Sequence, residues 1–493
     1  MGTPITFGAW LPDLPPFNNG GLITCTNVIP AQQSYLPFPK LLTFSQPLQS
    51  RCQGAILATD PSGNPYNFAG DQSHLYALAA QTYVDVTRVS GGYNTGIEDY
   101  WEFVNWGNTI IGVNGFNDTM QQISLGAANF IDLSSGVRAK HMAVMRDFVV
   151  VGNVNDSAIA SYRVRWCAIN NPTSWTPDAA TLADFQDLPS EGGPIQKVLG
   201  GEYGVILQQR SVWRMLFVGS PLVFQFDRIH NAIGAYAPQS CVRYQNLTFF
   251  LSENGFYSFD GSQLNPIGNG KVDKFFLADL QRAQLFRITS TIDPNNKLVM
   301  WAYPSNNTLS GGNPDRILIY NWAFDKWALI DGLNIEILLQ SLASGYTLES
   351  LDAISASLDA LAWSLDSTQW TGGQLILSAF DSLHQLSKFN GLPMSAKLET
   401  GEFQLYPDMR AQLAEVRPNV VGVSASMTVS IINRNNLTES ASVGAAGGYP
   451  NATGFVECLV DARYFRIRLE TADGIDFLHL IGVEVNATES GYT

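Results

Sequence analysis

The sequence predicts an all-β protein: a β-propeller of about seven blades with a short helical insertion and a C-terminal β-sandwich. Three observations lead to this prediction. A hairpin unit recurs along most of the chain, the final stretch alternates between apolar and polar residues, and the 493 residues include 43 glycines, 24 prolines and 11% aromatic residues. Glycine and proline in such numbers, without a collagen period, suit many short strands separated by turns.

The recurring unit is an apolar strand, a turn containing Gly, Asn or Asp, and a second strand rich in aromatic residues. Seven segments follow this plan, and they begin at Asn64, Asn108, Asp147, Tyr203, Leu247, Lys297 and Leu375. Apart from the last pair, successive starts are separated by about one four-stranded blade, which takes roughly 40 to 50 residues. A pair of β-sandwiches is the main competing architecture. The propeller is preferred because its radial packing exposes no long strand edge.

The longest spacing contains the helical insertion, which we place at residues 345–372. There the sequence SLDAISASLDALAWSLDS repeats Ser-Leu-Asp every seven residues from Ser350. Its apolar residues alternate spacings of three and four, as on one face of a helix, and they are Leu351, Ile354, Leu358, Leu361 and Leu365. The pattern is too short for a coiled coil and predicts one or two short amphipathic helices. Their apolar face is expected to be buried on the protein's own blades or against another subunit.

Three parts of the chain follow from these patterns. Residues 1–50 are predicted to form an N-terminal arm with the first propeller strands, residues 51–395 the propeller, and residues 396–493 the β-sandwich. The last boundary rests on the change near Ala396 from hairpin units to continuous apolar–polar alternation.

The segment ARYFRIRLE shows this alternation clearly. In a strand, Phe465, Ile467 and Leu469 share one face, and Arg466 and Arg468 share the other. The arginine face suits a bound carboxylate or phosphate, but a solvated strand face is the simpler interpretation.

The charge and the cysteines exclude several classes of protein. With 28 basic and 43 acidic residues the net charge is −15, so general attraction to nucleic acid or anionic lipid is not expected. The five cysteines are far apart and never spaced as CxxC, which argues against a disulfide scaffold or a zinc site and favours a reducing cytoplasm. The opening MGTPITFGAWLPDLPPF does not resemble a signal peptide, and no apolar run has membrane-spanning length, so no membrane anchor is expected.

Motifs that carry chemistry are not found. The sequence contains no GxxxxGK[ST], HExxH or GxSxG, and its five histidines are scattered. Two Asn/Asp turns, near Asp118 and Asp156, offer oxygen ligands of the kind calcium takes, but ordinary hairpin turns explain them better. We therefore expect no enzyme, no catalytic residue, no cofactor and no metal.

The middle of the chain resembles the packaged-DNA stabilisation proteins of short-tailed bacteriophages, which are tail accessory or nozzle proteins. The resemblance is carried by GEYGVILQQRSVWRMLFVGSPLVFQFDRI (201–229), NAIGAYAP (231–238) and FFLSENGFYSFDGSQLNPIGNGKVDKFF (249–276). The early NVIPAQQSYLPFPKL (27–41) is similar to the Asn-Val-x-Pro entry of the family. Lys40 departs from the family pattern, which has Gly after Phe-Pro.

The resemblance implies a structural virion protein of the phage tail. It implies a homo-oligomeric ring, expected to contain six subunits, that lies below the portal or adaptor, retains packaged DNA and lets it exit on infection. The expected partners are the adaptor or portal and the distal tail or fibre proteins, and the protein is made in the bacterial host cytoplasm. DNA is expected to pass without specific binding, because an acidic wall repels phosphate.

A second class of function also fits the residues. A carbohydrate-binding β-propeller adhesin would use aromatic surfaces drawn from the 11 Trp and 18 Tyr residues. Saturable glycan binding by an isolated subunit favours this alternative, whereas a ring in a virion favours the structural function.

Overall fold

Short β-strands make up nearly all the regular structure of the computed structural model, which describes residues 2–60, 62–133, 136–306, 311–342, 375–422, 427–448 and 454–491. The first five strands are β1 (Thr3–Thr6), β2 (Leu22–Thr26), β3 (Val28–Pro30), β4 (Tyr35–Pro37) and β5 (Pro39–Thr43). The helices in these ranges are α1 (Asp273–Asp279) and three 3-10 helices at Ser190–Gly192, Pro238–Ser240 and Arg282–Arg287. None of these described helices is long and apolar enough to cross a bilayer.

Seven four-stranded antiparallel blades occur within the described ranges, which confirms the predicted propeller. The strands of blade 1 are β6 (Gly54–Thr59), β7 (Pro65–Gly70), β8 (Leu75–Ala79) and β9 (Thr82–Asp85). The strands of blade 2 are β10 (Glu102–Trp106), β11 (Thr109–Val113), β12 (Gln121–Ser124) and β13 (Ile131–Asp132). The strands of blade 3 are β14 (Arg138–Met145), β15 (Phe148–Asn155), β16 (Ile159–Trp166) and β17 (Asp184–Asp187). The strands of blade 4 are β18 (Ile195–Leu199), β19 (Gly204–Gln208), β20 (Val212–Gly219) and β21 (Val223–His230).

The last three blades complete the ring. The strands of blade 5 are β22 (Val242–Tyr244), β23 (Leu247–Ser252), β24 (Gly255–Phe259) and β25 (Leu264–Pro266). The strands of blade 6 are β26 (Thr289–Asp293), β27 (Leu298–Tyr303), β28 (Arg316–Asn321) and β29 (Lys326–Asp331). The strands of blade 7 are β30 (Ile335–Leu342), β31 (Leu375–Asp381), β32 (Leu386–Pro393) and, from the N-terminal arm, β5. Among the strands described within residues 1–50, β5 is the one that belongs to the propeller.

The first strands of the blades surround the propeller axis. Strand β6 contacts β10, β10 contacts β14, and β14 contacts β18, while β22 contacts β26, β26 contacts β30, and β30 contacts β6. The 3-10 helix Pro238–Ser240 contacts both β18 and β26 and so joins the two halves of this circle. It is held to blade 6 because Ser290 donates a 2.6 Å hydrogen bond to the carbonyl of Gln239, and Trp301 Nε1 donates a 2.9 Å bond to that of Ser240.

Each of the seven sequence segments enters the second strand of a blade. These second strands are β7, β11, β15, β19, β23, β27 and β31. They lie between two neighbouring strands of the same blade and pack other blades on their faces, so several are almost continuously buried, as β19 and β27 are along their whole length. A strand buried on both faces has an almost continuous apolar sequence. This explains why the second strand of each blade was the part of the sequence that visibly recurred.

The predicted insertion at residues 345–372 falls in the connection between β30 and β31. This connection and the five proposed contact residues, Leu351, Ile354, Leu358, Leu361 and Leu365, lie outside the described residues. Whether they form helices or a subunit contact therefore stays a prediction.

Two sheets form the predicted C-terminal β-sandwich. Its remaining strands are β33 (Lys397–Thr400), β34 (Arg410–Val421), β35 (Met427–Arg434), β36 (Ser442–Gly447), β37 (Val456–Ala462), β38 (Tyr464–Thr471) and β39 (His479–Gly491). One sheet has the order β3-β4-β39-β34-β37 with β1 beside β39, and the other has the order β2-β33-β38-β35-β36. Leu413, Ile467 and Val483 are fully buried in the core between the two sheets.

The sandwich and blade 6 share one sheet. Strand β2 pairs in parallel with β29 of blade 6 and antiparallel with β33, so nine strands are continuous from β26 to β36. Asn27, at a positive φ of 60°, follows β2 and secures the junction. Its side chain donates a 3.0 Å hydrogen bond to the carbonyl of Ser395 and accepts a 2.9 Å bond from the amide of Asp331.

The two faces of β38 behave differently, as the alternation in ARYFRIRLE predicts. Phe465, Ile467 and Leu469 are fully buried. On the other face, Arg466 and Arg468 each donate to the carboxylate of Glu399 on β33, at 2.9 and 2.8 Å. The expected solvated face is instead paired with a carboxylate of the protein itself.

The five cysteines are all buried free thiols. Burial raises the pKa of each of them above its ordinary value. A thiol of high pKa forms little thiolate at neutral pH, so these side chains act as small core residues.

Candidate functional site

A cavity of about 600 Å³ lies near the propeller axis, and we call it the axial cavity. Its walls come from the inner ends of blades 2, 3 and 4 and from the 3-10 helices Pro238–Ser240 and Arg282–Arg287. The side chains that line it include Glu98, Asp99, Tyr100, Glu102, Phe116, Lys140, His141, Ser161, Gln196, Tyr236, Gln239 and Phe286. Its volume lies in the range of roughly 300 to 1,000 Å³ that is typical of small-molecule sites.

Glu102, the first residue of β10, forms the charged floor of the cavity and is 7% exposed. Its Oε1 accepts from Lys197 Nζ at 2.7 Å and from Gln239 Nε2 at 3.0 Å, and lies 2.9 Å from His141 Nδ1. Its Oε2 accepts a 3.2 Å bond from the backbone amide of Met142. Blades 2, 3 and 4 and the Pro238–Ser240 helix therefore meet at one carboxylate.

These contacts determine the pKa of Glu102. Burial alone would raise the pKa, but the charges of Lys197 and His141 and their hydrogen bonds outweigh burial and lower it to about 2. Glu102 is therefore ionised at any physiological pH. A carboxyl group held ionised in this way does not serve as a general acid near pH 7.

A second ion pair lies on the wall of the cavity. Lys140 Nζ is 2.8 Å from Asp99 Oδ1, and the two side chains are 38% and 22% exposed. The ammonium group of Lys140 also lies 5.4 Å from the ring centroid of Phe116. Asp99 is thus compensated within the protein, as Glu102 is.

Besides the buried Tyr100, whose hydroxyl has no hydrogen-bond partner, four more accessible polar side chains of the lining form no hydrogen bond or ion pair with any described residue. They are Glu98, Ser161, Gln196 and Tyr236. Glu98 is exposed, and the other three are half-buried. Their donors and acceptors are thus free to bind a molecule in the cavity.

Two arginines lie behind the wall that Tyr100 forms. The guanidinium of Arg51 is 5.7 Å from the ring centroid of Tyr100, and its Nη2 donates a 2.6 Å bond to the carbonyl of Ile97. Arg287 donates to Asn313 at 3.2 Å, and burial together with the charge of Arg51 lowers its pKa. The buried Nη1 of Arg51 and Nε of Arg287 have no acceptor among the described residues.

In both Asn/Asp turns considered for calcium, the Asp carboxylate is paired with arginine. Asp118 accepts a 2.6 Å bond from Arg88, and Asp156 is paired with Arg163 and Arg165. Within the described ranges, no group of three or more His, Cys, Asp or Glu side chains is placed to hold a metal ion. The turns therefore fit the hairpin interpretation.

The axial cavity was not among the sequence predictions. Its residues come from separate blades, and no two of the polar groups that contact Glu102 are close in sequence except His141 and Met142. The one sign of the cavity in the sequence was the position of these residues within the repeating unit. Glu102, His141 and Gln196 lie in the first strands of successive blades. Aligning the seven units on their second strands would have placed these residues at the axis.

Comparisons with known proteins add only distant likenesses. Neither a protein-family model nor a curated protein sequence matches this chain. The Pan2 WD40 domain of Neurospora crassa is 7% identical over 74% of this chain and 98% of that one, with a TM-score of 0.38. An exo-β-1,3-galactanase of Phanerochaete chrysosporium is 9% identical over 88% and 100%, with a TM-score of 0.27.

A family 43 arabinoxylan arabinofuranohydrolase of Bacillus subtilis is 9% identical over 93% of this chain and 97% of that one, with a TM-score of 0.23. The similar structures thus include a WD40 domain and glycoside hydrolases. No TM-score among these reaches 0.5, so the assignment of seven blades rests on the strand pairing described above.

Proposed function

We propose that this protein is a structural subunit of a bacteriophage tail. In this proposal it forms a homo-oligomeric ring of six subunits below the portal or adaptor, which retains packaged DNA and lets it exit on infection. The observation that carries the proposal is the interlocked construction of the propeller and sandwich, together with the sequence resemblance over residues 201–276.

The N-terminal arm is what interlocks the two parts. Strand β1 lies in the sandwich, β2 joins blade 6 to the sandwich, β3 and β4 return to the sandwich, and β5 closes blade 7 beside β32. Moving the sandwich away from the propeller would break the backbone pairing of β2 either with β29 or with β33. A rigid subunit of this kind suits a channel that withstands the pressure of packaged DNA.

The charge of the chain supports passage of DNA rather than binding. A net charge of −15 disfavours phosphate contacts, and a duplex moves past an acidic wall without being held. The proposed contacts are with neighbouring subunits, with the adaptor or portal above and with distal tail or fibre proteins below. The proposal requires no catalytic residue.

Immunogold electron microscopy of phage particles from the source lysate, with antibody raised against the purified protein, tests the proposal. We expect label confined to the tail or neck, and rings of six subunits in negatively stained preparations of the protein. Abundant free protein beside unlabelled particles would refute a tail function. That result would favour the carbohydrate-binding alternative.

A further inference from the structure

We propose that the axial cavity is a binding site for a short, uncharged oligosaccharide. This inference is independent of the ring, because it depends on one subunit and on residues that the proposed tail function does not use. The charges, the unpaired polar groups and the aromatic rings of the cavity together favour this one class of ligand.

The charges exclude strongly charged ligands. Glu102 is paired with Lys197 and also contacts His141, and Asp99 is paired with Lys140, so groups of the protein itself already bind these two carboxylates. The carboxylate of Glu98 remains uncompensated at the exposed side of the cavity and repels an anion. A polyanion such as a phosphorylated sugar is therefore disfavoured.

The free polar groups match hydroxyl groups. Glu98 offers an acceptor, Gln196 offers both a donor and an acceptor, and the hydroxyls of Ser161 and Tyr236 offer both as well. A sugar hydroxyl is also a donor and an acceptor, so it satisfies any of the four. An apolar ligand would bury these groups without a partner, which is unfavourable.

The rings supply the apolar part of the site. Phe116 and Phe286 line the cavity together with the half-buried Tyr236. Aromatic faces are suited to the C–H surfaces of a sugar ring, and small-molecule sites combine such surfaces with a few placed polar groups. The mouth also carries Ile159, whose side chain is 64% exposed and adds an apolar contact at the entrance.

The test is saturation-transfer-difference NMR of the full chain with maltose, cellobiose, lactose and N,N′-diacetylchitobiose, followed by a glycan array. We expect at least one saccharide to bind saturably. The substitutions Glu98→Ala and Gln196→Ala should each weaken binding about tenfold, as the loss of one hydrogen bond of about 1.4 kcal/mol predicts.

Matched controls keep the test specific. Glu457→Ala changes an exposed glutamate of β37, and Gln122→Ala changes a half-buried glutamine of β12, and neither residue lines the cavity. Both controls should bind as the unaltered protein does, and thermal unfolding should be the same for all four variants.

Several results would overturn the inference. These are an array without any bound glycan, equal loss of binding in the control variants, and binding of a simple amine such as putrescine in place of the sugars. Each of them is separate from the particle-labelling experiment. A tail protein without a sugar site and a sugar-binding protein absent from particles are therefore distinguishable.

Discussion

Two carboxylates of the propeller are almost equally buried, yet their pKa values move in opposite directions. Glu102, at the axis, is 7% exposed and has a pKa of about 2, whereas Asp273, at the start of α1, is 8% exposed and has a pKa of about 6. Burial raises the pKa of both. Only Glu102 has cations beside it, Lys197 and His141, and they reverse the effect of burial.

The surroundings of Asp273 explain why no cation compensates it. Its Oδ1 accepts a 3.1 Å bond from the amide of Phe256, and its charged neighbour is another acid, Asp13. Gly255, at a φ of +133°, leaves room for the carboxyl group, since a Cβ there would lie 2.2 Å from Asp273 Cγ. The comparison teaches that burial alone does not decide which buried acid is charged in this fold. The charge of the nearest partner group decides whether the acid is ionised.

The largest expected effect comes from removing a cation beside Glu102, so that its charge is poorly compensated, as that of Asp273 is. Lys197→Met removes the stronger cation and should destabilise the protein at pH 7 by about 3 kcal/mol, because it leaves a buried carboxylate undercompensated. Urea unfolding followed by tryptophan fluorescence measures the change. Lys140→Met is the matched control, and since its pair with Asp99 is partly exposed it should cost less than about 1 kcal/mol. Equal losses in the two variants would contradict the comparison.

A smaller effect of opposite sign is expected at Asp273. Its pKa is raised in the folded state, so its contribution to stability is full below pH 3.8 and is lost as the pH rises through about 6. Asp273→Asn keeps an oxygen for the Phe256 amide without the charge. The variant should be more stable than the parent by about 2 kcal/mol at pH 7 and nearly equal to it at pH 4.

Unfolding curves at the two pH values test this expectation. Asp260→Asn is the control, because Asp260 lies in an exposed turn where backbone amides lower its pKa, and its replacement should bring no gain at pH 7. A gain at Asp273 that is the same at pH 4 and pH 7 would show that charge is not its cause.

The smallest effect concerns the second cation of Glu102. The stability that Glu102 contributes is present above pH 4.5 and is lost as the pH falls towards 2. His141→Gln keeps a donor near Oε1 without the charge, so the acid-unfolding midpoint should move up by about half a pH unit. Circular dichroism during acid titration measures the midpoint. His230→Gln, in blade 4, should leave it unchanged, and an unmoved midpoint in the His141 variant would exclude His141 as a determinant.

The sequence predicted the features of the fold that local patterns encode. Buried second strands such as β15 and β27 are apolar runs bounded by turns, so each blade was visible from its own residues. The alternation in β38 likewise placed Phe465 and Ile467 in the core of the sandwich.

Pairing between distant segments was not predictable in this way. Thr26 pairs with Leu329 on one side and Lys397 on the other, and Leu41 pairs with Phe389, and no local pattern links these residues. The axial cavity was missed for the same reason. Glu102 and Lys197 meet only because the blades close into a ring, and a single sequence contains no sign of the angle at which blades are arranged.

The closure of blade 7 by β5 has a consequence for synthesis. Strand β5 leaves the ribosome early, but its partner β32 follows only after six blades and two further strands have been made. Until β32 has been made, the propeller cannot close. The edge of β5 that pairs with β32 stays unpaired while the rest of the chain emerges. Pairing between such distant segments is intrinsically slow, and unpaired edges invite aggregation. The same strand that closes blade 7 in the folded protein is therefore an unpaired edge for most of the time that the chain is being made.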